Sequence, residues 1–195
     1  MAVKKAVFLD KDGTLIPDIP YNADPDLISL ETGVGETLAQ LAEYFQLIVI
    51  TNQAGIAFGR FTEKDLIGVE KRIADLLQHY GVRLSGFYYC PHHPQGSSAP
   101  YAKSCTCRKP GPGLIIKAAG EHSLSLSDSW MIGDILNDVQ AGKAAGCKSI
   151  LIDNGNETEW DFMASPERIP DYISKDFADA GKYILRTEKN EKYSK

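Results

Sequence analysis

Five short apolar runs constrain this chain most: Ala6–Leu9, Leu47–Ile50, Phe87–Tyr89, Trp130–Ile132 and Ser149–Ile152. Runs of this length and bulk read as strands, and the bulkiest as strands buried on both faces. Between them the pattern turns helical, over about residues 34–44, 63–80, 113–120 and 135–145. The second helix is the clearest. Leu66, Val69, Ile73, Leu76 and Leu77 share one face, Thr62 and Asp65 resemble a capping box, and Gly81 is a natural stop. Strands alternating with helices predict an α/β fold around a mainly parallel sheet flanked by helices. Residues 1–195 read as a single domain, long enough to bury a core without disulfides.

In open parallel sheets the working crevice lies outside the C-terminal ends of the strands. Here those ends carry reactive groups. The first run finishes in "LDKDGT", giving Asp10 and Asp12; the second in "VITNQAG", giving Thr51 and Asn52. The third leads through a long loop to Arg108 and Lys109, and the fourth runs into "GDILND", with Asp134 and Asp138. Carboxylates as close as Asp10 and Asp12 repel each other, and a divalent cation removes the conflict. Asp10, Asp134 and the main-chain carbonyl of Asp12 offer the hard oxygen ligands that Mg²⁺ prefers. Taken singly, Asp12 could mark a turn and Asp134 a helix cap. The set, each member following its own apolar run, points to chemistry.

The connection from Cys90 to Pro112 is polar and turn-rich, so no apolar core holds it folded. It contains Cys90, Cys105 and Cys107 with His92 and His93. Two ligand pairs, Cys90-x-His92 and Cys105-x-Cys107, suit tetrahedral Zn²⁺, and four protein ligands leave no open position for catalysis. Spacing alone allows His93 in place of His92. The bland alternative is a group of incidental buried thiols. Cys147 reads as a small core residue, and His79 and His122 as structural or exposed.

Composition bears mainly on partners. A net charge of −5, with no basic stripe, argues against nucleic acid. No run is long and apolar enough for a membrane span, and "MAVKKAVFLD" lacks the long apolar stretch of a secretory signal. The expected address is cytoplasmic and the expected state monomeric. Lys4, Lys5 and the mixed tail after Leu185 read as solvated ends.

"FLDKDGT", "TNQAG", "RKPGPG" and "GDILND" resemble, in order, the four motifs of the haloacid dehalogenase (HAD) superfamily of phosphatases. The resemblance implies a Rossmann-like sheet and a phosphoaspartate mechanism. Asp10 would be the nucleophile and Asp12 the acid and base, while Thr51 and Lys109 would hold the transferring phosphoryl group. Asp138 would steady the metal shell or the lysine, or face solvent. "YYCPHHPQGS", "CTCRKPGPG" and "TNQAGIAFGRFTE" narrow the likeness to the D-glycero-D-manno-heptose 1,7-bisphosphate phosphatase branch, with its histidinol-phosphatase relatives. That branch has no large cap domain, and its pattern favours His92 as the zinc ligand, leaving His93 as an outer or substrate group. Asp18, Ile19, Pro20, Tyr21, Thr51, Asn52, Gln53, Ala54, Arg108 and Lys109 match its substrate contacts. The chain departs at Ile135, where the branch commonly carries Lys or Arg.

The reading is thus a Mg²⁺-dependent phosphatase of a small sugar bisphosphate, with structural Zn²⁺, supplying heptose for a cell-surface glycan. Histidinol phosphate or another small monoester is the alternative substrate. A zinc-stabilised binding protein without catalysis is the alternative of another class, and the intact Asp10, Asp12, Lys109 and Asp134 speak against it.

Overall fold

The structure, a computed structural model, describes residues 4–193. Met1–Val3 and Ser194–Lys195, parts of the ends read above as solvated, lie outside the described residues. Six strands form one sheet: β1 (Ala6–Leu9), β2 (Gln46–Asn52), β3 (Gly86–Cys90), β4 (Trp130–Gly133), β5 (Lys148–Ile152) and β6 (Tyr172–Ser174). All pairs are parallel and the order is β3-β2-β1-β4-β5-β6. This is the Rossmann order, whose topological switch falls between β1 and β4.

Helices cover both faces of the sheet, which explains the unbroken apolar strands. Val7 and Leu9 face one way, towards α1 (Val34–Leu41), α2 (Asp65–Gln78) and α5 (Phe177–Tyr193). Ala6 and Phe8 face the other way, towards α3 (Gly113–His122) and Ala141 of α4 (Leu136–Ala145). All four residues of β1 are completely buried. At the start of α2, Asp65 accepts from both the backbone N–H and the hydroxyl of Thr62, at 2.7 and 2.8 Å. Among the described residues no inter-strand segment forms a separate cap, and no helix is long and apolar enough to cross a membrane.

The ends require a correction. Residues 186–193 are not simply a solvated end but the continuation of α5, whose Phe177, Ala180 and Ile184 are buried at helical spacing. Glu188, one turn beyond Ile184, is itself only 4% exposed and pairs with the amine of Lys5. Lys5 is therefore an anchor between the start of β1 and the last helix. Strand β6 and helix α5 both lie outside the elements read from the sequence.

Candidate active site and metal centre

The switch point brings the first and fourth motifs together. Asp10 N–H donates to the Ile132 carbonyl at 2.9 Å, which seats the end of β1 beside the end of β4. Asp10, Asp134 and Asp138 are buried, and one carboxylate oxygen from each lies within 4.8 Å of the other two. Lys109 donates to Asp10 Oδ1 and stands 2.6 Å from Asp138 Oδ1. The second contact is close but not aligned as a hydrogen bond, so it is mainly Coulombic. Asp138 does not face solvent. It holds the lysine, and its other oxygen accepts from Ile135 N–H at 3.3 Å.

Three buried carboxylates around one ammonium leave negative charge in excess. Burial, then Asp10 and Asp138, push Asp134 up to about 8. Burial also lifts Asp138 to about 6 despite Lys109. Burial alone would lower Lys109, but the attraction of Asp10 and Asp138 prevails and holds it above the ordinary lysine range. An all-oxygen donor set with surplus negative charge fits a hard divalent cation such as Mg²⁺. Gly13 is required for this closeness: its φ is +78°, and a Cβ there would sit 2.1 Å from Asp134 Oδ2.

Asp12 lies beside this cluster and is half-buried rather than buried. Its carboxylate accepts from Lys11 Nζ at 2.6 Å and from Gln53 Nε2 at 3.1 Å. Burial raises its pKa, Lys11 opposes this, and Asp10 adds to it. A cavity of about 250 Å³ is lined by Asp10, Thr51, Lys109, Asp134, Ile135 and Asp138. A neighbouring one, of about 300 Å³, is lined by Ile19, Pro20, Tyr21, Gln53, Ala54 and Arg108. Asp12, Asp18 and Asn52 line both. Every residue predicted to act or to touch substrate thus borders one of two adjoining spaces.

Some of these side chains are already engaged. Asn52 Nδ2 donates to the Lys109 carbonyl at 3.1 Å, and Asn52 Oδ1 accepts from Lys109 N–H at 3.0 Å. This pair of bonds clasps the end of β2 to the segment that carries the lysine. Sequence reading missed two supports. Asn156, from the loop after β5, donates to Asp134 Oδ2 at 2.7 Å, and Glu157 accepts from Leu136 N–H at 2.6 Å at the start of α4.

In the long loop, Cys90, His92, Cys105 and Cys107 converge. The sulfurs lie 3.2–3.5 Å apart, and His92 Nδ1 lies 3.3 Å from Cys107 Sγ and 3.7 Å from Cys90 Sγ. All of the cysteines are free. A zinc tetrahedron with ~2.3 Å bonds to sulfur has edges of roughly 3.8 Å, so the four atoms fit such an ion after slight expansion. His92, not His93, reaches the sulfurs: His93 Nδ1 accepts from Gln95 N–H at 3.1 Å, and its ring lies 4.8 Å from that of Phe58, tilted by 45°. Cys147 is a buried core residue, its thiol pushed up to about 12 by burial.

Comparison with known proteins agrees with this arrangement. A sequence profile of HAD-hydrolase-like proteins matches residues 106–180. The D-glycero-β-D-manno-heptose-1,7-bisphosphate 7-phosphatase of Yersinia pestis is 37% identical over 181 residues, 92% of this chain and 94% of the relative. The protein of the same name from Pasteurella multocida is 38% identical over 184 residues, 93% of this chain and 97% of the relative. The chain belongs to this HAD phosphatase family. Among solved structures, the D,D-heptose 1,7-bisphosphate phosphatase of B. bronchiseptica, complexed with magnesium and phosphate, superposes with a TM-score of 0.79. It is 26% identical, over 95% of this chain and 99% of that one. The HAD phosphatase fold, the parallel sheet and the metal-ready acidic cluster thus come together in one chain.

Proposed function

We propose that this one-domain protein, residues 1–195, removes the 7-phosphate of D-glycero-D-manno-heptose 1,7-bisphosphate through a phosphoaspartate on Asp10. The observation that carries the reading is the shared wall of the two cavities. Asp12 stands where a phosphoryl group beside Asp10 would meet a sugar beside Arg108. The names of the relatives supply the substrate, and a cavity of about 300 Å³ is of the size expected for a small ligand.

An Asp10 carboxylate oxygen forms a bond to phosphorus while the bond from phosphorus to the sugar oxygen breaks. Asp12 gives its proton to that departing oxygen, so the sugar leaves as an alcohol. In the second half Asp12 takes a proton from the water that attacks the phosphoaspartate, which frees inorganic phosphate and restores Asp10. A carboxylate nucleophile divides one difficult step into two easier ones. Lys109 and the Thr51 hydroxyl meet charge on the transferring oxygens, and both are held in place beforehand. Asp10, Asp134 and the Asp12 carbonyl would hold Mg²⁺, with Asp138 behind the lysine. Bound there, Mg²⁺ supplies electrostatic stabilisation of the phosphoryl oxygens.

Arg108 would take the phosphate that is not cleaved, since a guanidinium donates in a fork. Asp18, Ile19, Pro20, Tyr21, Asn52, Gln53 and Ala54 would shape the space around the sugar. Zn²⁺ on Cys90, His92, Cys105 and Cys107 would be structural, holding the loop that ends in Arg108 and Lys109. Reduced cysteines support a cytoplasmic address, and we take the enzyme to act as a monomer.

Measurement of kcat/KM for both anomers of the heptose bisphosphate and for histidinol phosphate, with Mg²⁺ present, tests the substrate. Preference for a heptose bisphosphate by at least tenfold is expected; equal turnover of histidinol phosphate removes it. Asp10→Asn is expected to lose at least about 10³-fold in kcat and to trap no phosphoenzyme.

A further inference from the structure

The carboxylate of Asp12 is gripped on both oxygens. Lys11 Nζ donates to Oδ1 at 2.6 Å and Gln53 Nε2 to Oδ2 at 3.1 Å. Lys11 is only 1% exposed and Gln53 only 4%. A lysine is rarely buried this completely unless it is paired, because removing an ammonium from water is costly. Gln53 Nε2 also donates to Thr51 Oγ1 at 2.8 Å, which links the acid to the hydroxyl on the phosphoryl side. Asp12 itself keeps 27% of its side chain open, at the boundary of the two cavities.

Rotation about the last bond of an aspartate side chain is soft. A carboxyl left free would point its proton-bearing oxygen in many directions, and catalysis needs it within hydrogen-bond reach of one leaving oxygen. Donors on both oxygens remove that freedom. Each oxygen still has a second lone pair, so the group can carry a proton while it is held.

We infer that Lys11 and Gln53 are positioning residues that lock the Asp12 carboxyl on the line between the phosphoryl cavity and the sugar cavity. The inference rests on the reading of Asp12 as the acid that protonates the leaving oxygen. Lys11 touches neither cavity, and its effect would run entirely through Asp12.

The test compares two classes of leaving group. A sugar phosphate departs as an alkoxide and needs the proton; p-nitrophenyl phosphate departs as a stabilised phenolate and does not. Because kcat/KM covers only the steps up to formation of the phosphoaspartate, the later hydrolysis does not obscure the comparison. With Mg²⁺ present, Lys11→Met is expected to lose about 10- to 100-fold in kcat/KM on the sugar phosphate. Its loss on the aryl ester should stay below about threefold, because a positioning donor adds nothing to a step without proton transfer, and Lys11→Arg, which keeps the donor, should restore most of the activity. Equal losses on both substrates, or no loss on either, overturn the inference. Asp12→Asn separates it from the reading beneath it. If Asp12→Asn loses both substrates equally, the acid assignment itself fails. If it is selective and Lys11→Met is not, only the inference falls. Should Lys11→Met fail to melt cooperatively, Lys11→Gln, shorter and uncharged, decides the outcome by the same comparison.

Discussion

Asp138 Oδ1 stands 2.6 Å from Lys109 Nζ, with the two side chains 0% and 3% exposed. The same amine donates to Asp10, so a carboxylate from the first turn of α4 fixes the cation that faces Asp10. A buried ammonium shared between two carboxylates is strongly held, and removing one partner leaves the other over-attracted to it.

Asp138→Asn should therefore draw Lys109 towards Asp10 and away from the phosphoryl oxygens. The asparagine oxygen can still accept from Ile135 N–H, so the start of α4 survives. Displacement of the lysine costs the charged contact it makes with the transferring group, about 1.5–3 kcal/mol, which sets the expected loss in kcat/KM at roughly 10- to 100-fold. Steady-state kinetics beside an unchanged circular dichroism spectrum would check it.

Stability should depend on pH in a direction opposite to the usual carboxylate case. Asp134 is pushed up to about 8 from an ordinary 3.8, so between those values the folded state binds the extra proton. Stability then falls as pH rises through that window, and Asp138, at about 6, adds to the fall in its lower half. Thermal melts of zinc-replete, magnesium-free protein should show the midpoint decreasing from pH 5 to pH 8, with Mg²⁺ restoring it most at the alkaline end. A midpoint that rose with pH, or a Mg²⁺ effect confined to acid, would contradict the charge arrangement.

Cys105→Ser should release the loop. One zinc per chain is expected by elemental analysis in the parent protein and well under one in the variant. A loss of a few kcal/mol corresponds to a midpoint lower by about 5–10 °C for a chain of this size. Because Arg108 and Lys109 follow the cluster directly, kcat should fall along with the midpoint.

Arg108→Ala should act on recognition rather than on chemistry. Arg108 lines the sugar-side cavity, away from Asp10. KM for a bisphosphate should rise about tenfold, the size of one charge-assisted contact. KM for a simple monoester should barely move.

Much of this was legible in the sequence because of where the sheet buries its strands. β1 to β5 are covered or partly covered on both faces, which yields apolar runs that stand out from their surroundings. β6 is a three-residue edge strand with alternating exposure, so it leaves no run to find. α5 did leave a signal in Phe177, Ala180 and Ile184, but the charged residues of its outer face obscured it. In the site, the carboxylates and the Cys/His cluster were visible by their spacing. Lys11 did not, because a lysine between two aspartates reads as a solvated residue until its surroundings are known. Asn156 reaches Asp134 from a loop without any recognisable pattern, and no local rule could have placed it there.

The double clasp between Asn52 and the main chain of Lys109 has a consequence for how such a protein can be altered. The span from His93 to Ser104 is tied at both ends to the Cys/His cluster and at its middle to the Ala57 carbonyl, which accepts from Ser97 and Ser98 N–H at 2.9 and 2.8 Å. No residue of the span lines either cavity, so its length and content can be exchanged as a cassette without disturbing the lysine, provided that these anchors are left alone.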